Sequence, residues 1–125
     1  MITRETLLMG RDAIAPLTAE MEGNLISLIE ALQKIETEFG REFIISSGYR
    51  PKKINQAVGG AKFSRHQTCQ AADVIDSDGT LAAFVQQKNS ALERAGLWVE
   101  HPAYTPGWVH FQICPPKSGR RIFIP

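Results

Sequence analysis

Residues 64–74 read SRHQTCQAADV, and the placement of His66, Cys69 and Asp73 in this stretch decides how the rest of the chain has to be arranged. On one continuous helix, His66 and Asp73 would stand roughly 10 Å apart along the axis. That is too far for both side chains to reach one cation at about 2 Å. If the two act together, the QTCQAA between them has to turn. The run AADVID (71–76) then reads as a buried strand. A carboxylate between Ala72 and Val74 in such a strand needs a partner, and either a cation or an arginine would supply one.

Working outward, GWVHFQI (107–113) predicts a second apolar strand in which alternation puts His110 on the same face as Trp108 and Gln112. LWVEH (97–101) predicts its hairpin partner, with PAYTP (102–106) as a prolyl turn. Upstream, EFIISSG (42–48) is a short strand, and YRPKKINQAVGG (49–60) a short helix opened by Pro51 and closed by the glycine pair. LTAEMEGNLISLIEALQKIETEFG (17–40) is an amphipathic helix capped by Thr18 and stopped at Gly40, with Leu25, Leu28, Leu32, Ile35 and Phe39 at helical spacing. DGTLAAFVQQKNSALERAG (78–96) predicts a second such helix, with Leu81, Phe84, Val85 and Leu92 on one face. RRIFIP (120–125) reads as a last edge strand. The sum is an α+β domain: a small antiparallel sheet packed against two main helices. It is expected to be a single domain over 1–125, with an N-terminal extension (1–17), a core (18–113) and a C-terminal edge segment (114–125).

The 125 residues can bury a core without disulfides or a structural metal. A net charge of +1 gives no basis for a nucleic-acid or membrane-surface partner. Cys69 and Cys114 are too few for a disulfide framework, so a reduced, cytoplasmic chain is expected. MITRETLLMGRDA lacks the apolar core of a signal peptide, and no apolar run approaches the ~20 residues of a membrane anchor.

Two histidines and one carboxylate form a common catalytic zinc set that leaves a fourth position for water. The spacing of His66, Asp73 and His110 is equally that of core histidines bonded to backbone, with Asp73 as a helix cap or ion-pair partner. The order of further pieces goes beyond spacing. SGYRP (47–51), Asn55, VGGA (58–61), SRHQTCQAAD (64–73) and WVH (108–110) follow one another as in the M15 zinc peptidases. That group comprises D-Ala-D-Ala carboxypeptidases and phage endolysins, and it shares the Hedgehog-type fold. Its pattern is S-G-Y-R, then S-x-H-x-x-G-x-A-x-D, then W-x-H. The chain resembles it over roughly residues 25–113. The resemblance implies a Zn2+ held by His66, Asp73 and His110, with Arg50 holding the substrate's carboxylate or peptide carbonyl and Ser64 beside it as a substrate hydrogen bonder or a turn former. Trp108 and Tyr104 either line a substrate groove or pack into the core.

Three positions depart from the pattern. Cys69 replaces the glycine of H-x-x-G; it is either strained at a positive φ, close to the metal, or a buried thiol. Gln112 replaces a frequent aspartate and can still orient a ligand. Gly107 stands where many members place the acidic general base, three residues before the last histidine. Glu100 is then the expected base, returned to the site by the hairpin, with His101 as the second candidate. The implied function is zinc-dependent hydrolysis of peptidoglycan stem-peptide bonds, of D,D-carboxypeptidase or endopeptidase type, by a phage or prophage lytic protein released at lysis or carried in a virion. Two alternatives are a non-catalytic zinc-containing binding or structural module that has lost the base, and a metal-free interaction domain.

Overall fold

Thr3 and Thr6 cap each other reciprocally, each hydroxyl accepting the other's amide N–H at 3.2 and 2.9 Å. They open α1 (Arg4–Leu8) in the computed structural model, which describes residues 1–125. A 3-10 turn (Arg11–Ala13) leads to α2 (Ala19–Phe39), where the Thr18 hydroxyl accepts from Met21 and Gly40 ends the helix in the left-handed conformation, φ +82°. Leu25, Leu28, Leu32 and Ile35 are buried as their spacing requires, while Phe39 packs at the rim. Each such fully buried side chain contributes about 1.5–3 kcal/mol.

The remaining elements are β1 (Ile45–Ser47), α3 (Lys52–Ala57), a 3-10 turn (Arg65–Thr68), β2 (Ala71–Ile75), α4 (Thr80–Gln87), α5 (Asn89–Ala95), β3 (Trp98–Glu100), a 3-10 turn (Pro102–Tyr104), β4 (Trp108–Gln112) and β5 (Ile122–Phe123). The single helix expected over 78–96 is two. It breaks at Lys88 (φ −114°, ψ 50°), just before Asn89 and Ser90, whose side chains favour helix ends over helix interiors. The strands form one mixed sheet in the order β1-β2-β4-β3-β5. Its first three pairings are antiparallel as expected, but the edge strand β5 joins β3 in parallel.

Alternation divides this sheet into two faces. Ala72, Val74, Val99, Val109 and Phe111 are buried in one hydrophobic core with the apolar residues of α2, α4 and α5. The other face carries Asp73, His110 and Gln112. The segment 1–17 is no peripheral extension: Ile2 and Leu7 are fully buried and Leu8 nearly so, all within the main core. A five-residue helix is too short for periodicity to reveal it. No helix is long and apolar enough to cross a membrane.

Candidate metal centre

The turn that SRHQTCQAADV requires is the 3-10 segment Arg65–Thr68. The Ser64 hydroxyl caps it by accepting from the His66 amide at 3.2 Å. Cys69 closes it with φ +59°, the left-handed conformation for which the family pattern supplies glycine. The chain then enters β2, and Asp73 lies directly opposite His110 of β4 in the antiparallel register. Directly paired residues on one sheet face have close side chains. One potential ligand atom each from His66, Asp73 and His110 lies within 4.8 Å of the others, and all three residues are buried.

Hydrogen bonds fix how each imidazole presents itself. His66 Nδ1 is 2.9 Å from the Gly48 carbonyl oxygen, which can only accept, so Nδ1 carries the proton and Nε2 faces Asp73 Oδ1 at 3.2 Å. The Gln112 amide nitrogen donates to the Cys114 carbonyl at 2.8 Å, which turns its oxygen toward His110 Nε2 at 2.9 Å. His110 Nε2 therefore donates outward, and Nδ1 faces the same Asp73 Oδ1 at 2.9 Å. With both rings neutral, two nitrogen lone pairs would point at one carboxylate oxygen, an arrangement that calls for a positive charge between them. A proton on His110 meets that need in part. Burial alone would raise the Asp73 pKa, but the imidazoles of His110 and His66 against its carboxylate outweigh it and hold the carboxyl at about 2. Burial likewise opposes protonation of His110, and its bond to Asp73 overrides this and raises its pKa. A divalent cation meets the need better, and the two nitrogens and one carboxylate are donors that suit zinc. Outer partners such as the Gly48 carbonyl and Gln112 are what orient histidine ligands at such sites.

The β3–β4 hairpin brings Glu100 beside His110, its carboxylate 3.9 Å from the outward-facing Nε2 and its side chain partly exposed. Gly107 lies in the intervening turn at φ +85°, a conformation that strains an acidic residue. His101 is outside the cluster, and its Nδ1 accepts from the Ala103 amide at 3.1 Å to cap the turn Pro102–Tyr104. Arg50 is half-buried, and its Nε has no acceptor at all. Its only side-chain partner is Ser64 Oγ, a long 3.5 Å from Nη2. Ser64 thus serves as a turn cap and neighbour of Arg50 together, and its hydroxyl proton stays free to donate. Trp108 is partly buried on the same sheet face as His110, and Tyr104 is exposed, with its ring edge-on to His101 at 6.4 Å. Cys69 is not part of the cluster. It is buried in the core, which pushes its thiol up to about 11. Both cysteines are free thiols. The Gly48 and Cys114 carbonyls escaped sequence reasoning, because a backbone oxygen has no residue-type signal.

No curated protein matches the chain. The sequence model of the family described as Peptidase M15 matches residues 4–111, which takes in α1 and runs through His110. With that match over most of its length, the chain belongs to the peptidase M15 family.

Proposed function

We propose that this chain is a zinc-dependent metallopeptidase that hydrolyses stem-peptide bonds of peptidoglycan, in the manner of the wall-lytic members that its motifs resemble. The observation that carries this reading is the convergence of His66 Nε2, His110 Nδ1 and the Asp73 carboxylate, with both outer imidazole nitrogens tied to acceptors and Glu100 alongside. A zinc ion held by these three residues would supply Lewis acidity for the scissile carbonyl and for the attacking water. Glu100 accepts the water's proton on its carboxylate and delivers it to the leaving amine, a transfer suited to a partly exposed carboxylate at the edge of a buried centre. Arg50 anchors the peptide: its half-buried, under-used guanidinium has donors to spare for a carboxylate or carbonyl oxygen. The Ser64 hydroxyl adds one donor beside it, and Trp108 flanks the site on the same sheet face. A phage or prophage lytic role is the setting that the endolysin likeness supports.

The test pairs metal analysis with digestion of purified muropeptides, wild type against Glu100→Gln. The variant is expected to keep stoichiometric zinc and to lose about 10²–10⁴-fold in turnover. Undiminished digestion would remove Glu100 from its role. The second reading, a zinc-holding module without catalysis, rests on the glycine at position 107 and predicts zinc in both proteins with digestion in neither.

A further inference from the structure

The two peptide units flanking Tyr49 are each held at both ends. In the Gly48–Tyr49 unit, the carbonyl accepts from His66 Nδ1 at 2.9 Å and the N–H donates to the Leu7 carbonyl at 2.8 Å. In the Tyr49–Arg50 unit, the carbonyl accepts from Arg11 Nη1 at 2.9 Å and the N–H donates to the His66 carbonyl at 3.0 Å. Each unit is thus bonded to His66 on one side and to the N-terminal segment on the other. The approach is close enough that a Cβ on Gly48 would lie 2.1 Å from the Leu7 oxygen. The Tyr49 hydroxyl adds a tether to the Ala15 carbonyl at 2.9 Å.

We propose that Leu7 and Arg11 are positioning residues for His66: through the backbone of Gly48–Arg50 they hold the tautomer and ring orientation in which Nε2 faces Asp73 and His110. This inference rests on the metal-centre reading above. The Gly48 oxygen keeps the imidazole proton on Nδ1 only while its peptide unit keeps its angle. If that unit rotates, the proton is free to move to Nε2, where it occupies the position a metal needs. Leu7 O resists the rotation at the N–H end of the unit. Arg11 resists it one residue on, where it also carries the backbone of Arg50. The N-terminal segment then acts on the metal centre without touching it.

The experiment compares wild type, Arg11→Ala, Arg11→Lys and the control Arg4→Ala. Arg4 belongs to the same segment but pairs with Glu22 on α2, at 2.7 Å from Nη2. Zinc affinity is measured by chelator competition, and the visible absorption of the Co2+-loaded proteins reports ligand geometry. Arg11→Ala is expected to bind zinc about tenfold more weakly, the lower end for loss of an outer partner, and to alter the Co2+ spectrum. Arg11→Lys, which retains one donor for the Tyr49 carbonyl, should recover most of both. Arg4→Ala should match wild type in affinity and spectrum even where its unfolding midpoint falls. Arg11→Ala indistinguishable from Arg4→Ala would overturn the clamp while leaving the metal centre standing. A wild-type protein that takes up neither ion would overturn both.

Discussion

Cys69 shows how one residue can obey packing and violate backbone preference at once. Its thiol is buried in the main core, yet its φ of +59° is one that side chains other than glycine adopt at a cost of about 1–2 kcal/mol. Removing the side chain relieves that cost, whereas shortening it to alanine does not. We therefore expect an inversion of the usual order: Cys69→Gly should be more stable than Cys69→Ala by about 1 kcal/mol in chemical denaturation, although it leaves the larger cavity. Alanine more stable than glycine would mean that position 69 relaxes out of the left-handed region. This strain was legible in the sequence as a missing glycine in a glycine-bearing pattern. The candidate metal-binding set of His66, Asp73 and His110 was legible only through the ordered motifs, because the H-x6-D spacing is shared with ordinary core residues. The carbonyls of Gly48 and Cys114 were not legible, since which oxygen meets an imidazole depends on tertiary approach.

At the scale of elements, the sequence spoke clearly wherever a period could run its length. The 21 residues of α2, roughly six turns, carry apolar spacing between a threonine cap and a glycine stop. The hairpin of β3 and β4 followed from two apolar runs around a prolyl turn, and it is what brings Glu100 back to His110. Short elements were harder. The two residues of β5 show no period, so its parallel pairing with β3 could not be read. The start of α4 was also obscure, because Asp76 looked like the end of a strand. In the structure its buried carboxylate accepts from the amides of Leu81 at 3.0 Å and Ala82 at 2.9 Å, and so caps the first turn of α4, which begins at Thr80, four residues further on. Losing both acceptors leaves two helix N–H groups unpaired. Asp76→Ala should therefore cost about 2 kcal/mol in urea unfolding, and Asp76→Asn, which keeps one acceptor oxygen, about half as much. Equal costs for the two variants would show that the charge, and not the paired acceptors, is what matters.

The whole molecule differs from its sequence-level outline most at the N-terminus. A reading based on periodicity set residues 1–17 apart, because α1 is a single short helix and nothing in it repeats. In the folded protein Ile2, Leu7 and Leu8 fill the core, Gln33 donates to the Ile2 carbonyl at 3.0 Å, and the Peptidase M15 match already begins at residue 4. Burial of three such side chains contributes roughly 5–9 kcal/mol. That is comparable to the whole stability of a typical domain, about 5–15 kcal/mol. Deleting residues 1–17 should then abolish cooperative unfolding in the metal-free protein, and excess zinc should restore it only in part. Free zinc at 100 times its dissociation constant adds about 2.7 kcal/mol, less than the deletion removes. Calorimetry of the full and shortened chains, each with chelator and with zinc, separates the cases. A shortened chain that melts cooperatively near the full-length midpoint without metal would show that the segment is an appendage after all. Loss of the transition in both conditions would show that the sheet and the metal centre cannot assemble without the first helix beneath them.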